Sequence, residues 1–201
     1  MEIRRTAQDD PLQRFLALLE RAKATPQIVE PTAMTLATVS AEGRPSARVV
    51  LLKDADEDGL VFYTNLDSRK GREALARPDV ALLFWWGPLE SQVRFEGRAE
   101  RVGDDEADAY FATRARGSQL GAWASAQSRP IASRAELEAK LAEVTEEFEG
   151  MPVPRPPHWS GLRVKPLSIE FWRNRPNRLH ERELYTREKP GAAWSVQLLN
   201  P

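Results

Sequence analysis

Residues 34–64, MTLATVSAEGRPSARVVLLKDADEDGLVFYT, decide the fold. Three runs rich in β-branched and aliphatic side chains, Met34 to Ser40, Pro45 to Lys53 and Leu60 to Thr64, are divided by turn chemistry at Ala41-Glu42-Gly43-Arg44 and at Asp54 to Gly59. Three strands joined as hairpins are predicted. Upstream, Asp10-Pro11 reads as an N-cap followed by proline at the first helical position. Leu12, Phe15, Leu16, Leu19 and Ala22 then recur at helical spacing, which predicts a helix from 11 to about 24. Downstream, Ser68 caps a short helix to Arg77 that Pro78 stops, and Val80 to Trp86 reads as a buried strand ended by Gly87-Pro88. Ser91 to Val102 alternates, with Val93, Phe95 and Ala99 on one face and Gln92, Arg94, Glu96, Arg98 and Glu100 on the other.

The middle of the chain turns helical. Asp104 to Thr113, a short stretch around Ser118 to Ala124, and Ser133 to Phe148 are predicted helices, the last opened by a Ser133/Glu136 capping box. Its stripe of Leu137, Leu141, Val144 and Phe148 reads as core packing. Met151-Pro152-Val153-Pro154-Arg155-Pro156-Pro157 is a stiff connector, and the tail holds strands at 161–166, 167–172, 182–187 and 193–199. Hairpin-linked strands with helices between them indicate an α+β antiparallel barrel with peripheral helices, not a doubly wound parallel sheet. The 201 residues read as one domain: an arm and helix over 1–29, the barrel, and C-terminal strands over 158–201 that complete it.

Composition narrows the chemistry. There are no cysteines, which excludes disulfides, thiolate metal sites and cysteine nucleophiles. The 29 Lys and Arg against 30 Asp and Glu leave a formal charge of −1, which argues against a strongly basic nucleic-acid binder. His158 and His180 are too few for a three-histidine metal site and no HExxH, GxSxG, GxGxxG or P-loop pattern is present, so no metal is expected. The longest apolar run, Val80 to Trp86, is far too short to span a membrane, and Met1 to Arg5 has no signal-peptide core. A soluble, cytoplasmic protein is expected. Of the cationic residues only six are lysine; the arginine excess suits phosphate and carboxylate but equally follows from codon bias.

Anion recognition has local support. Ser68-Arg69-Lys70-Gly71 sets a hydroxyl, two cations and free N–H groups at a helix start, where a phosphate is favoured; a solvated cap with surface charges is the other reading. Tyr110, Arg114 and Ser118 would share a face if one helix continued through them, although Arg116 and Gly117 argue for a break. Arg48 and Lys53 end an apolar strand and should face opposite sides unless it is bulged. Gln127-Ser128 reads as loop and Gln92 as an exposed strand residue. The Trp85-Trp86 pair fits either an interface or a half-buried core strand.

Ile169-Glu170-Phe171-Trp172, a five-residue spacer, and Arg178-Leu179-His180-Glu181-Arg182 resemble the C-terminal signature of the pyridoxine/pyridoxamine 5′-phosphate oxidases. Further blocks agree in the same order: Pro31 to Met34, Arg48 to Lys53, Val61 to Asn65, Ser68 to Lys70, Tyr110-Phe111, and Gly121-Ala122-Trp123 with Gln127-Ser128. The resemblance runs from about residue 30 to the C-terminus. It implies an FMN-binding split β-barrel working as a homodimer with FMN at the interface. It also implies oxidation of pyridoxamine and pyridoxine 5′-phosphates to pyridoxal 5′-phosphate, with O2 as acceptor and H2O2 released. Carried over by position, FMN ligands would be Arg48, Val49, Val50, Leu51, Leu52, Lys53, Tyr63, Thr64, Arg69, Lys70, Gln92, Gln127, Ser128, Trp172 and Arg182. Substrate ligands would be Lys53, Tyr110, Arg114, Ser118, Arg178, Leu179 and His180, with Arg178 and His180 nearest the reacting carbon.

The sequence departs from that pattern at three places. Many relatives carry an N-terminal arm with an Arg-x-x-Tyr element, whereas this chain begins Met1-Glu2-Ile3-Arg4-Arg5-Thr6. Glu181 stands where aspartate is common and Arg173 where glutamine is common. Glu181 also fits the related flavin oxidases of phenazine biosynthesis, so these, and a non-catalytic FMN- or pyridoxal-phosphate-binding protein, are the alternative readings.

Overall fold

The computed structural model describes residues 10–201; Met1 to Thr6, where the arm element would stand, lie outside them. Helix α1 (Pro11–Lys23) starts as its sequence requires: the Asp10 side chain accepts from Leu12 N–H at 2.9 Å, with Pro11 at the first helical position. Its apolar face plugs the concave side of the sheet. Phe15, fully buried, packs against Phe84 and Phe95 with ring centroids 5.0 and 4.8 Å away. Burying a phenylalanine in this way contributes about 2–3 kcal/mol, which fixes α1 on the barrel.

The sheet is antiparallel and curls into a half-barrel. Strands β1 (Ala33–Val39), β2 (Pro45–Leu51), β3 (Asp54–Asp56), β4 (Gly59–Asn65), β5 (Asp79–Trp86), β6 (Ser91–Arg101) and β7 (Trp159–Arg173) lie in the order β2-β1-β5-β6-β7-β4-β3. Strands β8 (Glu181–Thr186) and β9 (Ser195–Leu198) extend it beyond β7. The β1–β2 hairpin is as predicted. The expected third hairpin partner is not: β2 stops at Leu51, Asp54 to Asp56 is a strand instead of part of the turn, and β4 pairs with β3 and β7. Buried Leu60, Val61 and Phe62 need a partner on both edges, and β7 supplies the second.

The two tail strands expected at 161–166 and 167–172 are one strand. Pro166 stands at the expected division, but β6 carries a bulge at Glu96/Gly97, opposite it. A Cβ on Gly97 would stand 2.2 Å from the Lys165 carbonyl oxygen, so glycine lets the two backbones close around the proline. The length of β7 lets it pair with β4 at one end, with β6 along most of its course and with β8 at the other end.

Helices α2 (Arg69–Ala76), α3 (Asp104–Thr113), α4 (Arg116–Ala124) and α5 (Arg134–Glu147) are peripheral. The α5 stripe is not the core packing its periodicity predicted. Leu137, Leu141 and Val144 stay partly or largely exposed; only Phe148, just past the helix, is buried, in a second cluster with Phe111, Leu120, Val153 and Trp159. The helix meets α4 on one side with no further layer over it, so its stripe finds no surface to cover it among the described residues. In β5, Trp86 is buried and its indole donates to Pro31 O at 3.0 Å, while Trp85 is 57% exposed.

Candidate active site

The register of β4 against β7 sets Tyr63 opposite Gly161. A Cβ at 161 would stand 2.9 Å from both the Tyr63 ring and Val102, so glycine gives the ring room. Tyr63 therefore stacks on Tyr110 of α3, with centroids 3.8 Å apart, and on Trp159 at 5.2 Å. Burial pushes the Tyr63 phenol up to about 12 and raises Tyr110 as well, so both offer O–H donors at neutral pH.

These rings wall a cavity of about 500 Å³. Val49, Val50 and Leu51 come from β2, Lys53 from just beyond it, Thr64 and Asn65 from β4, and Lys70 from α2. Arg114, Ser118, Ser125 and Gln127 complete the polar lining. The continuous helical face through 110, 114 and 118 does not form. Arg114 N–H closes back on Phe111 O, its backbone turns extended (ψ 145), and α4 begins afresh at Arg116. All three side chains nevertheless line the one cavity.

Among the described residues Arg114 is held without a carboxylate. Its guanidinium lies 4.7 Å over the Trp159 ring and 5.5 Å over Phe111, and Nη1 is buried with no hydrogen-bond partner there. Burial lowers its pKa, with Tyr110 opposing. Lys70 Nζ donates to Gln127 Oε1 at 2.7 Å and lies 3.4 Å from Ser68 Oγ; burial, then Arg48, lowers its pKa too. Two partly buried cations with no carboxylate partner among the described residues, beside a helix start capped by Ser68, favour an anion in the cavity.

Arg48 and Arg69 stand beside the cavity, not in its lining. Both are gripped by Glu73: Arg69 Nε donates to Oε1 at 2.8 Å, and Arg48 Nη2 lies 3.4 Å from Oε2. Thr38 Oγ1 and Ser46 Oγ donate to Oε2 at 2.5 and 2.7 Å. Burial alone would raise the Glu73 pKa, but these bonds prevail and bring it to about 2. Arg48 thus points to Glu73 while Lys53 points to the cavity, in line with the opposite facing expected from strand alternation.

The other residues named from the sequence lie elsewhere on the chain. Gln92 pairs with Trp172 across β6 and β7, and both line a separate depression of about 340 Å³ with Arg14, Arg21 and Arg173. His180 and Arg182 border another depression, Arg178 and Leu179 are exposed, Ser128 is an exposed loop residue at φ 70, and Leu52 is core. Trp159 and Trp172 mark the two ends of the separation; along β7 they are roughly 40 Å apart.

The segment after β7 is braced. Arg175 grips Glu181 through two bonds of 2.8 Å, and its backbone N–H donates to His180 Nδ1 at 3.3 Å, which leaves the proton of the neutral ring on Nε2. Asn177 and Arg178 both adopt left-handed backbone (φ 59 and 61), a conformation that asparagine tolerates and arginine rarely adopts. Glu170, 2% exposed, accepts from Arg182 Nε and Arg94 Nη2 at 2.7 Å each.

The sequence reading gave no role to Trp159, Glu73 or Glu170, nor to Asn65 and Ser125 of the lining. Glu73 had a signal, since Arg69 and Glu73 are i, i+4 on α2. Trp159 had none, because its contact with Arg114 depends on the pairing of β7 with β4.

Residues 20–148 match the family model described as pyridoxamine 5′-phosphate oxidase, and residues 159–201 match the pyridoxine 5′-phosphate oxidase C-terminal dimerisation region. A curated pyridoxine/pyridoxamine 5′-phosphate oxidase of Myxococcus xanthus (strain DK1622) is 62% identical over 96% of this chain and 92% of its own length. One from Rubrobacter xylanophilus is 59% identical over 97% and 88%. Among solved structures, PhzG from Burkholderia lata 383, in complex with tetrahydrophenazine-1-carboxylic acid, superposes with a TM-score of 0.88 at 32% identity, covering 96% of this chain and 93% of that one. A pyridoxamine 5′-phosphate oxidase-related, FMN binding protein of Nostoc punctiforme shares the fold, with a TM-score of 0.74 at 19% identity over 96% and 98%.

Proposed function

The chain belongs to the pyridoxamine 5′-phosphate oxidase family, and from that premise we propose that it oxidises pyridoxamine and pyridoxine 5′-phosphates to pyridoxal 5′-phosphate with dioxygen as acceptor. One observation carries the reading: Lys53, Tyr110, Arg114 and Ser118 converge on a single cavity in which a guanidinium nitrogen is buried and unpaired among the described residues. A buried donor left without a partner costs about 1–3 kcal/mol, and a phosphate oxygen removes that cost.

The residues present also suit FMN. Lys70, Arg69 and the N-terminus of α2 would hold its phosphate, and the Arg48 to Lys53 strand, Tyr63, Thr64, Gln127 and Ser128 would line its length. Gln92, Trp172 and Arg182 are too far along β7 to reach the same flavin from within one chain. A second copy of this chain brings them, with Arg178, Leu179 and His180, to the cavity, and the match of residues 159–201 to a dimerisation region supports that homodimer. FMN held by these residues would supply a two-electron acceptor for the hydride of the carbon bearing the amine or alcohol, with dioxygen as the final oxidant and hydrogen peroxide as its product.

The protein's own part is orientation. Lys53, Tyr110, Arg114 and Ser118 fix the phosphate, while Arg178 and His180 set the pyridine ring and its reacting carbon, His180 presenting a proton at Nε2. No nucleophile or metal is called for in this scheme. The test is the visible spectrum of the FMN-loaded protein under anaerobic addition of pyridoxamine 5′-phosphate. Bleaching of the flavin bands, followed by peroxide release when air is admitted, is expected. Bleaching by a dihydrophenazine acid but not by pyridoxamine 5′-phosphate would assign the chain to phenazine chemistry. A bound flavin that no substrate bleaches would make it a carrier.

A further inference from the structure

The arginines around the cavity are held in two different ways. Arg48 and Arg69 are tied to Glu73, which consumes donors and cancels charge. Arg114 instead rests on the face of Trp159, 4.7 Å from guanidinium carbon to ring centre, and pairs with no carboxylate among the described residues. An aromatic face attracts a guanidinium through its quadrupole without occupying any N–H group. Arg114 is therefore fixed while its donors and its full charge stay available.

Trp159 is itself immobilised. It is 6% exposed, lies nearly parallel to Tyr63 (10°) and Tyr110 (4°), and meets Phe111 edge-on. Its carbonyl accepts from Arg155 Nη1 at 2.8 Å, and Arg155 in turn grips Asp104 and Asp108 of α3, the helix that ends at Arg114. The chain thus ties the ring and the arginine to one rigid unit.

We propose that Trp159 is a positioning residue that acts through Arg114, its ring presenting the guanidinium to the phosphate of the substrate with every donor free. The inference rests on the function proposed above. Replacing Trp159 with leucine removes the π face. KM for pyridoxamine 5′-phosphate then rises about five- to tenfold, and competitive inhibition by inorganic phosphate weakens by the same factor, while kcat changes less than twofold. Trp159→Phe, which keeps an aromatic face, restores most of both. In an Arg114→Ala background Trp159→Leu adds nothing, because the group it acts through is gone.

Multiplying effects of W159L and R114A, a fall in kcat at constant KM, or unchanged phosphate inhibition would each overturn the inference. Should W159L fail to fold, Trp159→Met, unbranched and able to fill an irregular gap without a ring, gives the same comparison. A wild-type protein that oxidises no phosphorylated vitamer would sink the proposed activity. Phosphate affinity, read by calorimetry in wild-type, W159L and R114A, would then decide the role of Trp159 on its own.

Discussion

Glu73→Gln keeps the shape of the side chain and one acceptor oxygen but removes the charge on which Thr38, Ser46, Arg48 and Arg69 converge. The folded carboxyl titrates at about 2 against an ordinary 4.5. At about 1.36 kcal/mol for each tenfold in proton affinity, that difference is worth ~3 kcal/mol at most. Arg69 is 56% exposed, and screening of that partner by solvent reduces the figure to roughly 2 kcal/mol. The folded pKa lies below the unfolded one. The stabilisation is therefore complete well above pH 4.5 and is lost as the pH falls through 4.5 toward 2. Urea unfolding of the cofactor-free protein at one fixed concentration should place the variant's midpoint somewhat under ~1 M below wild type at pH 7. At pH 3.5 roughly half of the gap should have gone. A gap that is the same at both pH values, or none at pH 7, would refute the reasoning that the buried carboxylate is stabilised as an anion by these four partners.

Three further outcomes are expected. Arg178→Ala should slow anaerobic flavin reduction by two or more orders of magnitude while FMN affinity, read by quenching of flavin fluorescence, changes little; equal losses in both would remove Arg178 from the chemistry. Gly161→Ala forces a methyl to within 2.9 Å of the Tyr63 ring and Val102 and should cost about 1–3 kcal/mol of stability with a loss of substrate affinity, measured by denaturation and KM. Phe15→Ala should cost about 3–5 kcal/mol, because the ring has no exposure and packs on Phe84, Trp86 and Phe95; a loss under 1 kcal/mol would mean that α1 is not part of the core.

Three ion clusters, two around buried carboxylates and one exposed, share one logic. Glu73 holds Arg48 and Arg69 beside the cavity, Glu170 holds Arg94 and Arg182 at the far end of β7, and the Arg175–Glu181 pair braces the segment carrying Arg178 and His180. Glu181, which departs from the commoner aspartate, reaches Arg175 with both oxygens. Arg173 lines the depression beside Trp172, and nothing in the structure explains its replacing glutamine.

Much of the local structure was legible beforehand. The Asp10-Pro11 start, the Ser68 and Ser133 caps and the β1–β2 hairpin are written in residues that lie within a turn of one another, and all formed as read. The errors fell where a distant partner decides. Pro166 breaks a strand unless the neighbouring strand bulges, and only the opposed Gly97 shows that it does. The stripe on α5 buries itself only if something lies above it, and α4 covers one side alone.

The sequence, through its resemblance to the oxidase family, named every polar side chain of the cavity lining except Asn65 and Ser125. It could not say that Lys53, Tyr63, Lys70, Tyr110, Arg114 and Ser118 meet while Gln92, Trp172 and Arg182 stand at the opposite end of β7. That division depends on which strand β7 pairs with at each end. Strand pairing is settled by burial between segments up to about a hundred residues apart in the chain, not by any local propensity.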